Sequence, residues 1–189
     1  MRVTVFLSSV AVLASMPAAA SAQEQITCIY DAFTAEQRTA VATELTKLIT
    51  DPEAKTDPAI EKMANSTVEK AAVKCRKKHG WSQQQTAASE DYASAEVIAS
   101  HMRADPAFAG IDRAKMENSV PSHAGKPLPE LFIGEPSEAE MQDFRNAAIA
   151  AGIAENDGPR LSRAMVYLSM LYRANVAKAL FAAKPAVKE

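Results

Sequence analysis

The chain has 189 residues, 48% of them apolar and 23% charged, with a formal net charge of −2 at neutral pH. That much apolar content excludes a disordered or low-complexity chain. The slightly acidic balance gives no electrostatic reason to expect a nucleic-acid partner, which calls for a strongly basic face.

Residues 1–22 carry one basic residue, Arg2, then an apolar run from Val3 to Leu13 and small residues ending in Ala20-Ser21-Ala22. This is the pattern of a secretory signal peptide with an A-x-A cleavage site, so the mature chain is expected to begin at Gln23 and to be periplasmic or secreted. Losing Arg2 takes the formal charge from −2 to −3, because 21 basic residues become 20 against 23 acids. A lipid-anchored form would need a cysteine directly after the cleavage site, whereas Cys28 follows Gln25-Ile26-Thr27, so a soluble protein is expected. Residues 23–183 read as a single helical domain, long enough to bury most of its apolar surface, and residues 184–189 as a flexible tail.

Cys28 and Cys75 are the only cysteines. In an oxidising compartment they are expected to form one disulfide. Closing a loop of roughly 48 residues removes about 4 kcal/mol of denatured-state freedom on the chain-entropy estimate. The competing reading is a metal site, since Cys75 and His79 lie one helical turn apart, but no fourth ligand is evident and no metal is expected.

Thr34 with Gln37 forms a capping box, and Val41, Leu45, Leu48 and Ile49 trace one face of a first helix over residues 35–49. The acidic turn with Asp51, Glu53 and Asp57 lacks the glycine and terminal glutamate of a calcium loop; Asp57-Pro58 reads instead as the start of a second helix. That helix buries Ile60, Met63, Val68, Ala71 and Cys75 and ends at His79-Gly80, with Lys74, Arg76, Lys77 and Lys78 in its last turns, where positive charge suits the helix terminus. Ser82 with Gln85 starts a third helix through Ala88, Tyr92, Ala95, Ala99 and Met102, with Trp81 tucked into the corner before it.

From Pro106 to Pro136 prolines and glycines interrupt the pattern, apart from a short helix expected at residues 111–116. The cluster Leu128, Leu131, Phe132 and Ile133 is expected to pin this long connection to the bundle, as a lid or as a surface crossover. Ser137 with Glu140 starts a helix through Met141, Phe144, Ala148 and Ile149 to a left-handed cap at Gly152. Asp157 and Pro159 start the last helix, Leu161 to Ala183, whose Leu161, Met165, Leu168, Tyr172, Val176 and Leu180 form a stripe flanked by Val166, Tyr167, Met170 and Phe181. A helix apolar on most sides has to be surrounded by others. Arg163, Arg173 and Lys178 argue against a membrane span, and Ser162, Ser169 and Arg173 mark a narrow solvent strip.

The expected fold is therefore all-α: a small helical bundle of about five helices with a central C-terminal helix and a long Pro-rich connection. No phosphate-binding loop, dinucleotide fingerprint, nucleophile elbow or zinc-protease signature occurs. His79, His101 and His123 lie in separate segments; a His/Met site for haem or copper would need His101, Met102, Met116 and His123 to converge, which their spacing does not impose. No catalytic residue and no cofactor is assigned.

The helix starts Phe33-Thr34-Ala35-Glu36-Gln37 and Trp81-Ser82-Gln83-Gln84-Gln85 resemble the L-T-x-x-Q motif found twice in small helical periplasmic stress chaperones of the Spy and CpxP type, with Phe or Trp in place of Leu and Ser in place of the second Thr. The resemblance implies an ATP-independent chaperone. The leading expectation is a non-catalytic domain that binds a protein or a small apolar ligand. The chaperone is one alternative, and a hydrolase or metal-binding protein without a recognisable motif is another.

Overall fold

The structure, a computed structural model, describes residues 25–50, 53–123 and 136–183. Residues 1–22, expected to be a signal peptide, the cluster Leu128 to Ile133 and residues 184–189 lie outside the described residues. Every regular element among the described residues is helical: α1 (Ala35–Thr50), α2 (Pro58–His79), α3 (Gln83–Arg103), α4 (Arg113–Glu117), α5 (Glu138–Ala150) and α6 (Gly158–Ala182), with 310 turns at Tyr30–Ala32 and Pro106–Phe108.

Side-chain caps set the helix starts. Thr34 Oγ1 accepts from the Gln37 amide at 3.2 Å while the Gln37 side chain accepts from the Thr34 amide at 2.9 Å. Ser82 with Gln85 and Ser137 with Glu140 make the same reciprocal pair. Asp57 and Asp157 cap α2 and α6 with proline in the first turn, where its missing N–H removes nothing. The ends follow from glycine. Gly80 (φ 67°) and Gly152 (φ 113°) take left-handed conformations that a side chain would strain. After each, the next amide reaches back into the last turn, Trp81 to the Arg76 carbonyl at 3.2 Å and Ile153 to the Ala148 carbonyl at 3.1 Å. Both residues thereby swing into the core, Trp81 against the Phe181 ring and Ile153 fully buried. The short helix in the proline-rich connection is α4, two residues later than expected because the Asp112 carboxylate, accepting from the Lys115 amide at 3.0 Å, fixes its start.

The C-terminal helix holds the centre of one half of the bundle, packed against α3, α4, α5 and the Pro106–Phe108 turn. In the other half the central element is α3, whose further faces take α1, α2 and the Tyr30–Ala32 turn. Small residues let α3 and α6 close on each other: Ala88, Ala95 and Ala99 on one helix and Ala164, Ala174 and Ala177 on the other are all buried. Tyr167, expected on a flank, is fully buried with Leu168, whereas Met165 of the stripe is only half-buried. Of the solvent strip, Ser162 is exposed, while Ser169 and Arg173 are half-buried. Ser169 bonds back to the Met165 carbonyl at 2.8 Å and touches the Met141 sulfur of α5 at 3.6 Å.

Cys28 and Cys75 are joined, with S–S 2.04 Å and Cα–Cα 6.1 Å, and tie the N-terminal turn to α2. The same turn buries Ile26 and Ile29, receives the Ser89 hydroxyl on the Ile26 carbonyl at 2.8 Å, and delivers Phe33 to the junction of α1, α2 and α3.

Candidate ligand cavity

Where α1, α2 and α3 meet, the apolar side chains form a second, smaller core separate from the one around α6. Phe33, Val41, Ala42 and Val97 are buried in it, with Ile60, Ala64 and Val68 of α2 packed on them. Several of these side chains are short, and Ala64 of α2 and Ala93 of α3 leave the junction unfilled. The result is a cavity of about 220 Å³ with apolar walls contributed by all three helices and by Phe33. Its exposed polar residues, Glu61, Asn65 and Ser94, stand where it opens to solvent.

One charged group in the wall is buried. Glu44 is 6% exposed. It occupies the apolar face of α1, three residues after Val41 and four before Leu48, where a helix places it toward the junction. Lys47 forms an ion pair with one carboxylate oxygen, and the Asp57 amide donates to the other at 3.3 Å. The Lys47 hydrogen bond holds the Glu44 carboxyl below the ordinary carboxylate value, against the desolvation that raises it. The Asp57 amide is the one directly before α2, so Glu44 also fixes how α2 enters the junction.

The histidines and methionines singled out in the sequence stand in different environments. His101 is exposed, Met102 and Met116 are buried in the main core, and His123 packs edge-on against Tyr172 at 4.7 Å. His79 stacks on Trp81 at 5.5 Å. Among the described residues no group of three His, Cys, Asp or Glu side chains could hold a metal ion. The basic cluster Lys74, Arg76, Lys77 and Lys78 is exposed at the end of α2, as helix-terminus chemistry implies. Lys74 and Lys78 border a cleft of about 500 Å³ beside the disulfide, opposite Asp31; these side chains are exposed, so an occupant would stay in water.

Two polar constellations went unread in the sequence. The buried Tyr167 hydroxyl donates to Glu117, beside an Arg103–Glu96 pair at 2.8 Å. Burial, then the Glu117 bond, pushes the Tyr167 phenol well above its ordinary value. Around the Pro106–Phe108 turn, Arg160 donates to the carbonyls of Ala107 (2.8 Å) and Ala109 (3.2 Å), Arg163 pairs with Asp105 at 2.7 Å, and Arg113 donates to the Arg103 carbonyl. Arg160 and Arg163 thus hold the turn against α6, and Arg113 ties α4 to the end of α3.

Comparison of the chain with protein-family models, with curated proteins and with solved structures finds no match.

Proposed function

We propose that this chain is an exported binding protein that holds a small apolar ligand in the α1–α2–α3 cavity and does no chemistry on it. The observation that carries the reading is the cavity itself. An unfilled volume of about 220 Å³ forfeits up to about 5 kcal/mol relative to a filled core, an upper figure because the cavity opens to solvent. Against a net stability of about 5–15 kcal/mol, a ligand that restores those contacts has a large reservoir of free energy to draw on. The size selects the class: cavities of about 150 Å³ lined by aliphatic side chains accept benzene, so this one suits a single ring with a short substituent. Drug-sized ligands, which take about 300–1,000 Å³, are too large.

Export rests on the signal-like residues 1–22 and is consistent with the joined cysteines. Among the described residues no helix is long and apolar enough to cross a membrane. The chaperone alternative calls for a broad exposed apolar surface, and Val73 is the one large apolar side chain exposed among the described residues.

The test is mass spectrometry of small molecules extracted from protein purified out of envelope extract, followed by titration of single-ring compounds against the methyl resonances of Val41, Leu45 and Ile60. A co-purifying single-ring compound that shifts those methyls is the expected result. The absence of both would reduce the cavity to a packing defect.

A further inference from the structure

The cavity's charge is one-sided. Among the described lining residues two are carboxylates, Glu44 in the wall and Glu61 at the opening, and none is a lysine, arginine or histidine. Lys47, the partner of Glu44, has its side chain 55% exposed and lies outside the cavity. A carboxylate has about four lone-pair sites and Glu44 uses two, one toward Lys47 and one toward the Asp57 amide at 3.3 Å. Acceptor capacity therefore remains in a wall that is otherwise mostly apolar. A carboxylate so placed offers an anionic ligand no donor, and a neutral hydrocarbon would leave the spare lone pairs of Glu44 unmatched, whereas an ammonium supplies both charge and donors.

We infer that the ligand is a small aromatic or branched aliphatic amine, bound as its ammonium form with the apolar body against Phe33, Val41 and Val97 and the charged end on Glu44. This rests on the cavity reading proposed above. Shielding from water strengthens an ammonium–carboxylate bond relative to the same pair on the surface, and the exposed Glu61 draws cations toward the opening. Because the Lys47 hydrogen bond holds Glu44 below the ordinary carboxylate value, it is ionised at neutral pH, when an alkyl amine is protonated.

Three probes of nearly one shape separate the possibilities on the disulfide-intact protein: 2-phenylethylamine, 2-phenylethanol and 3-phenylpropionate, each titrated at pH 7 against the Val41, Leu45 and Ile60 methyl resonances. The ammonium is expected to bind about tenfold more tightly than the alcohol, with the carboxylate weakest. Glu44→Gln, which keeps the acceptor for the Asp57 amide, should remove the tenfold preference for the ammonium over the alcohol. Glu61→Gln, an exposed change that leaves the wall intact, should weaken only the ammonium, by a smaller factor that vanishes in high salt. Equal binding of ammonium and alcohol to the unmodified protein would overturn the inference and leave the apolar-ligand reading standing. No methyl shift with any probe would overturn both.

Discussion

If the junction of α1, α2 and α3 is underfilled, a larger side chain should fit there without strain, and Ala64→Leu is the direct perturbation. Ala64 is half-buried, lines the cavity, and lies on α2 one turn after Ile60 and one before Val68. Leucine adds three carbons, worth about 2.4 kcal/mol at ~0.8 per buried carbon. At a half-buried site about half of that is realised, and the helix-propensity change from alanine to leucine is small. The variant should be about 1 kcal/mol more stable, a rise in Tm of about 3 °C for a domain of this size. It should also lose single-ring ligands, because the new side chain occupies their volume. Urea melts with the disulfide intact measure the first effect and the methyl titration the second. Destabilisation by 1 kcal/mol or more, the signature of overpacking, would show that the space is not there and would refute the packing argument independently of any ligand.

Ellman titration of the denatured, unreduced protein should find almost no free thiol, and reduction should lower stability by about 4 kcal/mol; two reactive thiols would refute the pairing. Leu168→Ala, at a fully buried position on α6, should cost about 2–5 kcal/mol. Ser162→Ala, on the exposed side of the same helix, should cost no more than about 0.5 kcal/mol; equal small losses would make α6 a peripheral arm. Burial raises the Asp91 carboxyl above its ordinary 3.8, with Arg173 opposing. A raised acid favours the folded state least where it is ionised, so Asp91→Asn should raise Tm at pH 7, with the gain fading as pH falls through the folded pKa toward 3.8. A gain unchanged at pH 3 would refute that origin.

Much of the fold was legible because helix starts and stops are chemistry of single residues. Thr34, Ser82, Ser137, Asp57 and Asp157 each cap the helix their spacing predicts, and Gly80 and Gly152 end theirs. What periodicity missed was the second face of α3. Ser89 reads as a polar break, yet it is fully buried because its hydroxyl reaches the Ile26 carbonyl at 2.8 Å, sixty-three residues away in the chain. No local pattern contains that partner. The same holds for Tyr167, whose burial depends on Glu117 being delivered by a short helix in a proline-rich connection.

The cavity was half legible. Glu44 stands within the face traced by Val41, Leu45 and Leu48, and a carboxylate in an apolar stripe is a signal that could have been read from spacing alone. The empty volume was not, because hydropathy counts alanine as apolar and cannot distinguish a filled stripe from a gapped one. Alanines at Ala164, Ala174 and Ala177 bring α6 into contact with α3, whereas Ala64 and Ala93 leave space between α2 and α3. The difference lies in how α2 is held. One end is fixed by the Glu44 carboxylate on the Asp57 amide, the other by the Cys28–Cys75 bond and the Gly80–Trp81 corner. A rigid helix pinned at both ends cannot move inward at Ala64, so the small side chains there produce a hollow instead of a close approach.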